Sequence, residues 1–235
     1  MAAAIFLETI LSTNCYSEYV YEIGYWTKTI VSDRLRQGGI VIKNLIAIIV
    51  AIAFAVPSLS AATWEIDKVH SSVGFTVKHM VISNVNGKFD DFSGTINFDG
   101  KDFAAATVVV AINPASINTC NVNRDKHLKS PDFFAADSLP QMGFKSKKVI
   151  PGKDNMFQIV GDLTMRGVTK EVTLDAVFNG TVKGMQGDTR AGFSATTTIN
   201  RQDWGVSWSK TLDAGGLVVS DDVKIDLEVE AIQKP

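Results

Sequence analysis

Cysteine is nearly absent from the chain: there are two in 235 residues, Cys15 and Cys120. Cys120 stands alone in the C-terminal three quarters, so no intramolecular disulfide can staple that part. It reads as a small, partly buried side chain, with a nucleophile and pairing to a second chain as the alternatives. Histidine is almost as scarce. His70, His79 and His127 are the only three, and none is spaced from another histidine or a cysteine as metal ligands are. An excess of either charge is also lacking, with 23 Lys and Arg against 25 Asp and Glu. That balance argues against a nucleic-acid surface and against a patch for anionic membranes. No G-x-S-x-G elbow occurs, and the glycines from Gly180 to Gly187 lack the strand-to-helix setting of a phosphate loop. Asp67, His70 and Ser71 are the residue types of a hydrolytic triad, but they are too close along one strand to stack as nucleophile, base and orienter. The expectation is a protein without a catalytic set, metal or cofactor.

One long apolar run is present, from Leu45 to Val56, behind Lys43 and ahead of Pro57 and the small residues Ser58 to Ala62. A basic start, a run short for a bilayer span and a small-residue exit describe a signal peptide over residues 43–62, with an uncleaved anchor as the alternative. Residues 1–42 precede the basic group at unusual length. They read as an extension from an upstream start, since Gln37 to Gly39 can be encoded by a purine-rich run ahead of a start at Val41 or Ile42. The mature domain is then 63–235, periplasmic, and long enough for one real core. Its balance stays at −2, because the removed part carries four basic and four acidic residues.

Past Thr63 the chain alternates. Trp64 and Ile66, then Val73, Phe75 and Val77, then Val223, Ile225, Leu227 and Val229 are apolar between polar neighbours, as in half-buried strands. Gly87 to Asp99 reads as a further strand region, Ala105 to Ile112 as a strand covered on both faces, and Met165-Arg166-Gly167 as a turn. Eight or nine strands on short links, without a βαβ rhythm, give an all-β antiparallel fold. A barrel and a sandwich both fit. The barrel is favoured because closure removes the edges that long strands would expose.

Asn121 to Phe144 breaks the pattern. Asn121 or Asn123 can cap a short helix, Pro131 ends it, and Asp132 offers a second cap for a turn carrying Phe133 and Phe134. This is a helical excursion with an aromatic tip, laid over the strands as a lid or a mouth. The inward positions are rich in phenylalanine: Phe75, Phe89, Phe144, Phe157, Phe178 and Phe193. They make either an ordinary core or the wall of a tunnel for an elongated apolar ligand. Val77, Phe133 and Phe134 join the candidate ligand-binding set. His79 continues the inward alternation, as a hydrogen-bonded core residue, a ligand contact or a base. Trp204 plugs one end or touches the ligand, and Arg201 can pair with Asp203. Arg124, Lys126, His127 and Lys129 can meet a polar head group, or simply face solvent.

WEIDKVHSSVGFTVKHM, RDKHLKSPDFF, GDLTMRGVTKEVTL and INRQDWGV, in that order across the mature chain, resemble the YceI-like family of periplasmic polyisoprenoid-binding proteins. The resemblance implies a lipocalin-like antiparallel β-barrel with the helical segment near its mouth and an isoprenoid lipid, quinone-like or isoprenoid-phosphate, in an apolar tunnel. It implies transport or storage and no established catalysis. Transient membrane contact and a homodimer are both compatible with it. The alternative is an enzyme acting on an apolar substrate, with His79 or His127 as general base.

Overall fold

The computed structural model describes residues 62–211 and 217–234. The extension over residues 1–42 and the signal peptide lie outside those residues, Ala62 excepted. Eleven strands form one continuous antiparallel sheet: β1 (Ala62–Ile66), β2 (Ser72–His79), β3 (Ser83–Phe89), β4 (Phe92–Phe98), β5 (Thr107–Ile112), β6 (Ile117–Asn118), β7 (Met142–Pro151), β8 (Met156–Met165), β9 (Val168–Lys183), β10 (Thr189–Asn200) and β11 (Val219–Gln233). Eight of them make a ring, β1-β4-β5-β7-β8-β9-β10-β11, and β11 returns to β1 through Trp64 opposite Gln233 and Ile66 opposite Ala231. Closure decides for the barrel over the sandwich. β2 continues the wall beside the first half of β11, β3 pairs with β2, and the two-residue β6 touches the end of β3.

Alternation builds the wall. In β11, Val223, Ile225, Leu227 and Val229 pack against the core while Lys224, Asp226, Glu228 and Glu230 stand between them on the other face. Two expected strands behave differently from their pattern. Gly87 to Asp99 is split at Asp90 and Asp91, where the chain turns a corner between β3 and β4. β5 is not covered on both faces: its outer side is open, and Val109 is 46% exposed. An apolar run reads as doubly buried only when a second layer covers it, and a single-walled barrel has none.

Close approach of large rings explains two glycines. A Cβ on Gly161 would lie 2.5 Å from Phe144 Cζ and 2.6 Å from the Lys145 carbonyl oxygen. On Gly87 it would lie 2.3 Å from Phe75 Cζ. In both cases a phenylalanine on the paired strand lies over the glycine, filling the space that a missing side chain leaves.

The excursion joins β6 to β7. Its helix α1 (Val122–Lys129) starts where the Asn121 side chain accepts the Arg124 N–H at 3.0 Å, and it stops at Ser130 before Pro131. Asp132 does not cap the following turn. The Ser130 carbonyl accepts the Phe133 N–H instead, and the Asp132 carboxylate faces His127. Cys120 is exposed, not partly buried, and sits at φ +59° just ahead of the helix.

Candidate functional site

A cavity of about 230 Å³ runs inside the barrel. Its wall is hydrocarbon from all eight ring strands, among them Ile66 from β1, Phe98 from β4, Phe144 from β7, Phe157 from β8, Phe193 from β10 and Ile225 from β11. An apolar void of roughly 150 Å³ already stays dry and takes a small aromatic, so this larger one is a place for hydrocarbon. A charged or strongly hydrated molecule would have to shed water there without recompense.

The excursion closes one end of the barrel. Leu128, Phe133 and Phe134 contribute to the cavity wall, and the Phe134 ring meets Phe89 edge-on at 5.6 Å. Phe133 is buried at 6% exposure beneath His127 and Trp208, whose rings lie 5.0 and 5.3 Å from its own. Arg166, at φ +50° in the β8–β9 turn, ties this cap down from outside. Its Nη1 donates to the carbonyls of Pro131 and Phe133.

Of the residues expected to touch ligand, Phe75, Val77, Phe89, Phe133, Phe134, Phe144, Phe157 and Phe193 all line this one cavity. His79 does not. It lies at the last pair of β2, between Ser83 and Val219, beyond the point where the inward alternation still faces the cavity. Trp204 is also outside the wall: it is 2% exposed and its indole N–H donates to the Leu163 carbonyl at 3.0 Å, a structural plug. Phe178 packs beside Phe98, Phe103 and Phe193 without reaching the cavity.

The basic head-group candidates are not brought together. Arg124 turns back on its own segment, with Nε 2.7 Å from Thr119 Oγ1 and Nη2 2.7 Å from the Thr119 carbonyl. His127 Nε2 lies 3.0 Å from Asp132 Oδ2. Lys126 is exposed on the helix.

Arg201 was the residue least legible in the sequence. It is 4% exposed, lines the cavity and gives every guanidinium N–H to a protein acceptor. Nε donates to Ser220 O, Nη1 to Val206 O and Trp208 O, and Nη2 to Val219 O and Asp221 Oδ1. Burial pushes its pKa down from the ordinary arginine value, and Asp221 opposes that shift. The expected partner Asp203 instead meets Lys170 at 3.2 Å. Sequence separation hid the true pair, because Asp221 reaches Arg201 only when β11 lies beside β10.

A polar cluster sits on the barrel's outer side. Asp67, His70 and Glu230 bring ligand atoms within 4.8 Å of one another. The Asp67–His70 pair forms at 2.8 Å, but the Ser71 hydroxyl is held by the Glu230 backbone, so no triad assembles from it. Arg190 Nη1 stands between the two carboxylates, 3.0 Å from Asp67 and 2.5 Å from Glu230. Its charge takes the place a cation would need.

A closed antiparallel barrel around an apolar tunnel, with a helical cap, defines a lipocalin-like ligand-holding fold. The model of the YceI-like domain matches residues 64–231, and the chain belongs to that family. UPF0312 proteins of Staphylococcus aureus strains N315 and Mu50 are each 41% identical over 165 residues, covering 70% of this chain and 94% of theirs. The crystal structure of the Campylobacter jejuni YCEI protein is similar at 39% identity and a TM-score of 0.59, over 72% of this chain and 96% of that one. BcnA of Burkholderia cenocepacia shares the fold at 24% identity and a TM-score of 0.63, over 70% and 98%. So does a polyisoprenoid binding domain from Saccharophagus degradans, at 16% and 0.56, over 73% and 98%.

Proposed function

We propose that this protein is an exported lipid-binding barrel that holds a polyisoprenoid chain in its tunnel, for transport or storage. The observation that carries the reading is the wall: among the 39 described residues that line it, Ser194, Thr197 and Arg201 are the only ones with polar side chains. Each buried CH₂-sized group contributes about 0.8 kcal/mol. A few isoprene units therefore supply on the order of 10 kcal/mol before the entropy of ordering the chain is subtracted. Affinity comes from the tail. Export is supported by the leader pattern at residues 43–62, which makes the compartment periplasmic and a brief contact with a membrane the natural route for loading. The name of the Saccharophagus degradans domain agrees with an isoprenoid ligand.

Binding without catalysis fits the placement of the histidines. His79 is outside the tunnel wall and His127 faces Asp132, so neither is set against a buried substrate as a base. Native mass spectrometry of the protein from its own host tests the reading. A mass increment matching one isoprenoid lipid is expected; protein that stays empty under gentle conditions contradicts it.

A further inference from the structure

Three consecutive apolar side chains stand in water at one point of the barrel. Met80, Val81 and Ile82 form the tip of the β2–β3 hairpin, at 40%, 62% and 85% exposure. Other exposed apolar residues, such as Val69 and Val122, stand singly, as is ordinary on a protein surface. Met80 and Val81 both lie in the left-handed region, at φ +53° and +65°, and the Ile82 N–H donates to the His79 carbonyl at 3.2 Å. A hairpin turn of this shape ordinarily takes Asn and Gly, and a β-branched residue in it is strained. Methionine and valine here serve neither the turn nor the core. The tip is nevertheless held in place. The Met80 N–H donates to the Val218 carbonyl and the Val218 N–H to the Lys210 carbonyl, each at 2.9 Å.

The tip also stands at the capped end of the barrel. His79, just before it, lies opposite Val219 at the start of β11, and Val77 and Val219 at its foot line the cavity. Trp208, two residues before Lys210, meets the Phe133 ring of the cap at 5.3 Å. We infer that Met80, Val81 and Ile82 are the point at which the protein enters the surface of a lipid bilayer to load its ligand. The inference rests on the isoprenoid reading above and gives it a route. A stable protein interface takes about 20–30 residues a side. Three at the apex of a hairpin are too few, for a second copy of this chain as for any other protein. The boundary between head groups and acyl chains takes in a narrow apolar tip without needing a matching shape. Charges beside the tip are mixed, with Lys78 and Lys210 exposed against Asp222. The apolar side chains therefore carry the contact, and salt should not release it.

The test sediments the protein, isolated from its own host, with phosphatidylcholine vesicles. Wild type is set beside the triple variant Met80→Asn, Val81→Gly, Ile82→Ser, whose Asn-Gly pair suits the turn and keeps the hairpin, and beside Ile82→Ser alone. Wild type should bind at high salt as at low, and the triple variant should bind at least ~10-fold more weakly, with Ile82→Ser between them. Wild type that stays in the supernatant, or that sediments no better than the triple variant, overturns the inference. A wild-type dimer that the variant loses, without vesicle binding, assigns the tip to a second copy and overturns it too. A fluorescent prenyl reporter separates this inference from the tunnel reading. Both proteins should take up a short, water-soluble reporter alike from solution, while the triple variant should load a long-chain one from vesicles about 10-fold more slowly. Equal loading from vesicles overturns the inference and leaves the tunnel reading intact. No uptake by either protein from solution overturns the tunnel reading itself.

Discussion

Arg201 and Asp221 meet at 3.1 Å, with the arginine side chain 5% exposed and the carboxylate 32%. The pair fastens the turn after β10 to the start of β11. Around it the same guanidinium donates to four backbone carbonyls, those of Val206, Trp208, Val219 and Ser220. A buried cation of this kind is costly to assemble and more costly to break, because its removal strands every acceptor at once.

Arg201→Met should therefore destabilise the fold by about 3–5 kcal/mol. Urea denaturation measures it. A loss below about 1 kcal/mol would mean that water replaces the guanidinium freely at this end of the barrel.

Arg166 holds the cap from outside through the carbonyls of Pro131 and Phe133. Arg166→Ala should cost about 1–3 kcal/mol locally, with faster amide exchange over residues 130–136 and faster ligand release. Exchange measured by mass spectrometry should show the change confined to that segment. Uniform acceleration across all strands would mean the arginine supports the whole barrel instead.

Acid should weaken the β1–β2 corner. The hydrogen bond from His70, then those from the Val69 N–H and Arg190, hold the Asp67 carboxyl below its usual range against the opposing effect of burial. A carboxylate with a lowered folded pKa stabilises the protein fully above its unfolded value of about 3.9, and that contribution is lost as pH falls through the folded value. Stability measured from about pH 5 down to about pH 2 should fall less steeply in Asp67→Asn than in wild type. Parallel profiles would remove Asp67 from the account.

Gly161→Ala tests the aromatic filling of the sheet. The new methyl would meet the Phe144 ring and, at 2.6 Å, the Lys145 carbonyl. The ring can turn, but the backbone oxygen cannot without disturbing the β7–β8 ladder. A cost of roughly 1–3 kcal/mol is expected, seen as a lower midpoint in thermal unfolding. An unchanged midpoint would show that the two strands can separate at that point.

Much of the barrel was legible because strands with one face buried write a period of two into the chain. Eight of the ten positions expected to touch ligand do line the tunnel, and all eight are hydrophobic. Periodicity finds such residues because their burial is their role. The misses are residues whose role is set by partners distant in sequence. Arg201 needed β11 beside it, and His79 and Trp204 followed the right alternation or composition but fell past the end of the cavity. Val109 was misread because an apolar run does not reveal how many layers will cover it.

The most direct measurement is organic extraction of gently purified protein from its own host, followed by mass spectrometry, with wild type and Ala195→Trp side by side. Ala195 lines the tunnel between Phe193 and Thr197, so an indole there fills the space a chain would occupy without breaking a strand. The account predicts one isoprenoid lipid per wild-type chain and none in the variant, with circular dichroism showing both folded. Equal lipid in the two, or none in either, would contradict it.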